Sequence, residues 1–232
     1  MLDRLEDAFR REAEFTSAAS HELRTPIAVI LAQAEEILSG NKKNSDYKKA
    51  AKVIINQSKR ISFLISQLLT LARDYQDRFE LNNEVIDLGI LINDIVEEMR
   101  VIAEPKRVKI SFADGKSFKI NADQTLITTL IINIISNSIK YNKKGGYIRV
   151  GLSREKDYAK IIIEDTGIGI SKNDTPFIFD RFYRADKIKS DKSFGLGLSI
   201  AKWIVDSHKG NIDISSELEK GTKVTVRLPI DL

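Results

Sequence analysis

Apolar positions recur with a helical period from Leu2 to about Tyr75, and with a shorter, alternating period from there to the C-terminus. Advancing ~100° per residue from Phe15, the residues Ala19, Leu23, Pro26, Ile30, Ala34 and Ile37 fall within one apolar arc. Gly40-Asn41-Lys42-Lys43-Asn44 interrupts the pattern, and Asn44 or Ser45 can cap a second helix that runs to about Tyr75, so the spacing predicts a helical hairpin. In the second arm Ile54, Ser58, Ile61, Ile65, Leu68 and Ala72 follow alternating steps of four and three, the seam of a coiled coil or four-helix bundle. Two helices cannot bury both sides of such a seam. Pairing two chains into a four-helix bundle would, and a homodimer is expected; the alternative is a helical pair packed on the rest of the chain.

Past Asp77-Arg78-Phe79, β-like runs at 85–87, 108–112, 147–152, 159–163, 211–214 and 223–228 alternate with helical stretches near 88–102, 123–140 and 196–207. Three helices are too few to cover both faces of a sheet, so an α/β sandwich with a mixed sheet and helices on one face is expected. The fold class is therefore multidomain: an all-α unit over 1–76, then an α/β unit over 77–232, joined by a short hinge between 75 and 84.

Composition changes this picture mainly by exclusion. The chain has 232 residues, enough for two compact units, and its 42% hydrophobic content is ordinary for a folded protein. With no cysteine there can be no disulfide, thiolate metal site or cysteine nucleophile, and two histidines are too few for a histidine-built metal site. The net charge of +4 arises from 37 basic and 33 acidic residues spread along the whole chain, which reads as solvated surface; no nucleic-acid partner is expected. No apolar run approaches the ~20 residues that span a bilayer, and the start is charged, unlike a signal peptide. A cytoplasmic location fits. Because Met1 lies inside an amphipathic helix, the chain is expected to be the cytoplasmic portion of something longer, with membrane contact only through an upstream region.

Candidate chemistry begins at His21, which sits at roughly 240° on the helical wheel, opposite the apolar arc, and so faces water. A neutral imidazole nitrogen can attack an electrophile, and the carboxylate of Glu22 can hold the other ring N–H and stabilise the imidazolium that forms. Pro26 has no N–H for the Glu22 carbonyl, so the helix should bend or loosen just past the nucleophile. A lone exposed histidine is usually only a solvated side chain; the remaining segments change that. Asn133 and Asn137 lie one helical turn apart, and an amide oxygen is a suitable hard ligand for Mg²⁺. Lys140 can reach phosphate oxygens and the Tyr141 ring can lie against a purine. At the end of a strand Asp165 can accept from an adenine amino group, and Gly167 and Gly169 allow the backbone to approach the base. Gly195-Leu196-Gly197-Leu198 leads into a helix whose N–H groups can hold phosphates. An aspartic-protease reading of Asp165-Thr166-Gly167 needs a second such motif, and the chain has none.

In this order the segments resemble the sensor histidine kinases of two-component systems, over nearly the whole chain. His21-Glu22-Leu23-Arg24-Thr25-Pro26 is similar to the family's H box, Asn133 to Tyr141 to its N box, Asp165 to Gly169 to its G1 box, Phe179-Asp180-Arg181-Phe182 to its F box and Gly195-Leu196-Gly197 to its G2 box. The resemblance implies a dimerisation and histidine phosphotransfer domain followed by a catalytic ATP-binding domain. It makes His21 the autophosphorylated residue, Glu22 its base, and Thr25 a residue that helps water attack the phosphorylated partner, with possible phosphatase activity. It gives Asn137 to Mg²⁺ with Asn133 nearby, Lys140 and Tyr141 to the nucleotide, and Asp165 to adenine. Gly167, Gly169, Arg181, Phe182, Gly195, Leu196, Gly197 and Leu198 complete the ATP site. The stretch from Ser171 to Phe194, with six lysines or arginines, would be a mobile ATP lid. The partner implied is the receiver domain of a response regulator, docking just past Pro26 near Ala28, Leu31, Ala32 and Glu35.

One departure stands out. Where the G2 box usually opens with glycine and a small hydroxyl residue, this chain has Ser193 and Phe194, so either the lid is stiffer or Phe194 packs over the nucleotide. His208, before Lys209-Gly210, reads as a basic residue at a glycine-capped helix end. Two other classes share parts of this pattern: clamp ATPases, which lack His21-Glu22, and a dimeric scaffold that binds nucleotide without turnover.

Overall fold

The computed structural model describes residues 2–39, 44–72, 80–112, 117–185 and 193–230. The chain forms two compact units, Met1–Tyr75 and Gln76–Leu232.

In the first unit α1 (Leu2–Leu38) packs along α2 (Asn44–Ala72). The helix α1 is continuous through Pro26, whose ring is buried, so the loosening expected there does not end the helix. Within one chain, α2 meets α1 on a different flank from the expected seam. The buried residues of α2 are Ala50, Leu64, Gln67 and Leu71, a face about a quarter turn away from the Ile54–Ala72 seam. Ile65 of that seam is 45% exposed, and Leu69 is 62% and Leu31 of α1 57% exposed. One chain therefore satisfies only one flank of each helix and leaves an apolar strip outside.

The second unit opens with β1 (Glu84–Asp87), α3 (Leu88–Ala103), β2 (Lys109–Phe112), β3 (Lys119–Ala122) and α4 (Gln124–Lys140). It continues with β4 (Tyr147–Glu155), β5 (Tyr158–Asp165), α5 (Gly197–Ser207), β6 (Asn211–Glu217) and β7 (Gly221–Pro229). The main sheet has the order β2-β4-β5-β7-β6, parallel at β2/β4 and antiparallel elsewhere, and β1 pairs with β3 in a separate two-stranded ribbon. The strand β3 was not anticipated from the sequence. Alternation places Ile148, Val150 and Leu152, Ala159, Ile161 and Ile163, and Val224, Val226 and Leu228 on the buried face beneath α4 and α5, with Arg149, Lys160, Glu164, Lys223 and Arg227 on the other. Helix starts follow from side-chain caps: Asp87 accepts from Ile90 N at 3.1 Å and Asp123 from Leu126 N at 3.0 Å.

His208 is not a helix-end cation. It is buried, with Nδ1 donating to Ile204 O at 2.8 Å and Nε2 accepting from Asp123 N at 3.2 Å, which requires the neutral ring. Burial holds its pKa below the ordinary imidazole value, against the opposing pull of the Ile204 carbonyl and the Asp123 charge. The residue in the left-handed conformation past α5 is Lys209 (φ 54°), not Gly210.

Candidate functional site

The acceptor segment lies on α1. His21 and Thr25 are exposed one turn apart, Glu22 is half-buried between the two faces, and Thr25 Oγ1 points back toward His21 O at 3.5 Å. Phe15, Ala19, Leu23, Ile30, Ala34 and Ile37 are half-buried and Pro26 is buried, so the arc and the exposed histidine lie on the sides the periodicity assigns.

The other candidates all lie in the second unit, and α4 organises them. Asn133 is buried and Asn137 half-buried, and both face Gly197 at the start of α5: a Cβ there would lie 3.5 Å from Asn133 Oδ1 and 3.6 Å from Asn137 Nδ2. Asn133 Nδ2 is buried with no hydrogen-bond partner. An orphaned amide donor of this kind favours an incoming acceptor such as a phosphate oxygen. The first turn of α5 has no side-chain cap, so its N–H groups add donors on the same side.

One residue beyond Asn137, Ser138 donates to Asp165 Oδ2 at 2.9 Å, while Gly167 N (2.9 Å) and Thr222 N (3.2 Å) both donate to Oδ1. Two lone pairs at Oδ1 and one at Oδ2 are thereby used, which leaves one acceptor direction on Oδ2. Burial raises the Asp165 pKa above the ordinary carboxylate value; the Gly167, Ser138 and Thr222 donors lower it, and Glu164 adds to the rise. Gly167 fits closely, since a Cβ would come 2.5 Å from Tyr141 O, and Ile168 N donates to that same carbonyl at 3.0 Å.

Tyr141 joins the helix end to the G2 segment: its OH lies 3.2 Å from Ser193 Oγ, and Lys140 Nζ sits 5.1 Å from its ring centroid. Lys106, which carried no local signal, donates to Ile139 O at 3.2 Å and to Lys140 O, and so caps the C-terminus of α4. The F and G2 segments meet at Gly195 (φ 70°), where a Cβ would come 2.5 Å from Tyr183 O; Phe182 also has positive φ, at 63°. Arg181 and Phe182 are half-buried, as is Leu198, while Leu196 is buried. Phe194 is 5% exposed and enters the core, which removes the option that it covers the nucleotide. Of the 171–194 stretch, residues 186–192 lie outside the described residues, and with them three of its six basic side chains. Ser138, Thr222 and Lys106 were not legible in the sequence, because each acts on a partner whose position only the fold determines.

Residues 11–74 match the family model of the His Kinase A (phospho-acceptor) domain, and residues 122–232 match that of the histidine kinase-, DNA gyrase B- and HSP90-like ATPases. The chain belongs to the sensor histidine kinases. The chain is 33% identical over 228 residues to the sensor histidine kinase RppB of Synechocystis sp., covering 96% of the chain and 50% of RppB. It is 34% identical over 221 residues to WalK of Bacillus subtilis, covering 93% of the chain and 36% of WalK. The chain thus spans half or less of the length of these curated relatives. Among solved structures, the Acinetobacter baumannii histidine kinase AdeS superposes with a TM-score of 0.74 at 23% identity, over 91% of this chain and 98% of that one. The histidine kinase ThkA, solved in complex with the response regulator protein TrrA, gives 0.75 at 22% identity, over 98% and 66%. Both are likenesses of fold. Among the described residues no helix is long and apolar enough to cross a membrane, and no group of three or more His, Cys, Asp or Glu side chains converges.

Proposed function

We propose that this kinase transfers the γ-phosphoryl group of ATP to His21 and passes it on to an aspartate of a response regulator. The observation that carries the reading is that α4 and its C-cap present Asn133, Asn137, Ser138 and Tyr141 to Gly197, Asp165, the Gly167–Ile168 turn and Ser193.

In this reading the free lone pair of Asp165 Oδ2 accepts from the adenine amino group. The Tyr141 ring lies against the purine, and Lys140, Arg181 and the uncapped N–H groups of α5 at Gly197 and Leu198 hold phosphate oxygens. Asn133 Nδ2 donates to one of them. The Asn137 amide oxygen suits Mg²⁺, which when bound neutralises charge on the phosphates. A ring nitrogen of His21 gives its lone pair to the γ-phosphorus in line; an N–P bond forms as the P–O bond to ADP breaks, and Glu22 stabilises the proton on the other nitrogen. In the second step the N–P bond breaks and the regulator's carboxylate takes the phosphoryl group. Thr25, exposed a turn beyond His21, would orient a water against the phosphorylated regulator. Two chains pair through the apolar strip that one chain leaves open on α1 and α2.

Incubation of the purified chain with Mg²⁺ and γ-labelled ATP tests this. Acid-labile, base-stable label that disappears in His21→Gln is the expected result. Binding of ATP without any label would overturn the transfer reading and favour a clamp ATPase or a scaffold.

A further inference from the structure

The loop that follows Asp165 is held from outside the site by the β6–β7 hairpin. Glu219 N in the hairpin turn donates to Ile168 O at 2.8 Å, and Lys143 Nζ donates to Glu219 O at 2.7 Å. Gly169 (φ 69°) lies so close to β6 that a Cβ would collide with Glu217 O. One side chain completes the junction. Ser216 Oγ accepts from Ile170 N at 2.8 Å, lies 2.8 Å from Thr222 Oγ1 and donates to Gly221 O at 2.9 Å. A hydroxyl has one proton and two lone pairs, so with Ile170 and Thr222 donating and Gly221 accepting, Ser216 is fully used.

We infer that Ser216 is a positioning residue for the purine end of the nucleotide site, an assignment that rests on the reading of Asp165 given above. It joins the two strands of chain that determine where the Asp165 carboxylate points. On one side is the Gly167–Ile170 loop, whose Gly167 N–H donates to Asp165 Oδ1; on the other is Thr222, whose N–H donates to the same oxygen. Removing the hydroxyl leaves the Ile170 N–H, the Thr222 hydroxyl and the Gly221 carbonyl each short of a partner, on both sides of Asp165 at once. The loop can then shift relative to the carboxylate, and the direction of the remaining Oδ2 lone pair is no longer fixed. Ser216 itself touches no substrate atom in this arrangement, so its effect is on recognition of the base and not on phosphoryl transfer.

The test compares wild type, Ser216→Ala and Ser216→Thr. Ser216→Ala should weaken ATP binding about tenfold, the equivalent of one hydrogen bond, and raise KM by a similar factor with kcat at saturating ATP unchanged. It should also narrow the preference for ATP over ITP, whose base lacks the amino group. Ser216→Thr keeps the oxygen and should restore both. Without nucleotide, amide exchange at Ile170 should accelerate in Ser216→Ala and not in Ser216→Thr. If Ser216→Ala lowers only thermal stability and leaves the ATP/ITP ratio and Ile170 exchange as in wild type, the inference is wrong. If wild type itself fails to bind ATP, the site reading falls, and with it the role of Ser216; binding by wild type with an unaltered Ser216→Ala overturns the inference alone.

Discussion

Asp165→Asn separates recognition of the base from folding, because the geometry around the carboxylate treats the two differently. Within the protein Asp165 Oδ1 accepts from Gly167 N and Thr222 N, and an asparagine oxygen in the same place keeps both bonds. Its Nδ2 then faces Ser138 Oγ, which donates to the carboxylate but can rotate to accept from an amide. The amide also avoids the desolvation that raises the carboxyl pKa, so the fold should be as stable as wild type or slightly more so. The remaining direction at Oδ2 changes from acceptor to donor and meets the adenine amino group donor to donor. Loss of a hydrogen bond to a charged acceptor is worth about 1.5–3 kcal/mol, which corresponds to roughly a 10- to 150-fold rise in Kd. Isothermal titration with ATP, alongside thermal melting of both proteins, measures each half. The pH dependence has opposite signs for stability and binding. With its folded pKa raised, Asp165 contributes stability below the ordinary carboxylate value, and this is lost as pH rises through the folded value; ATP binding needs the ionised form and weakens as pH falls through that same raised value. An asparagine variant that binds ATP within about twofold of wild type would refute the assignment of adenine to Asp165.

Gly197→Ala should retain the wild-type melting temperature, since its methyl group meets only Asn133 and Asn137 at ordinary contact distance, yet it should weaken ATP binding; Gly195→Ala, at φ 70° and against the Tyr183 carbonyl, should lower the melting temperature as well. His208 is held below the ordinary imidazole pKa, so its contribution to stability is full above pH ~6.5 and is lost as pH falls through the lowered folded value; thermal melts between pH ~7.5 and ~5 should show a slope that His208→Gln flattens. Leu69→Glu places a carboxylate on the exposed apolar strip of α2 and should shift light-scattering mass toward the monomer while circular dichroism keeps its helix signal; an unchanged dimer would place the interface elsewhere.

What the sequence makes legible is what neighbouring residues encode. Asp87 and Asp123 precede apolar runs, and both turn out to be caps that start α3 and α4. The alternation through 147–152, 159–163 and 223–228 gives three adjacent strands of the sheet with the correct face inward. β3 is harder: Lys119-Ile120-Asn121-Ala122 alternates over only four residues, and its pairing with β1 makes it a strand. The flank of α2 that meets α1 is likewise undetermined locally, because apolar residues lie on more than one side of α2 and the period alone does not say which side the first arm covers. His208 was misjudged for a related reason. A histidine at a helix end is charged or neutral according to what it touches, and its deciding partner, Asp123, lies 85 positions away. Thr222, 57 positions from Asp165, is invisible for the same reason.

The same distinction bears on how the proposed reaction divides between the two units. On the α4 side, candidates are held by contacts from other elements: Asp165 by three donors, and Tyr141 by Ile168 N and Ser193. That side contains many groups suited to holding a nucleotide, and its own histidine, His208, is buried with both ring nitrogens engaged, so it offers no nucleophile. On α1 the position is reversed: His21, the proposed nucleophile, is exposed, and its nearby candidates, Glu22 and Thr25, come from its own helix. In the proposed reaction, therefore, the second unit supplies the nucleotide and the first the acceptor. Changes at the purine end should therefore appear in KM, and changes at His21 or Glu22 in the rate of labelling at saturating ATP, so the two classes of variant should separate cleanly in a single kinetic series.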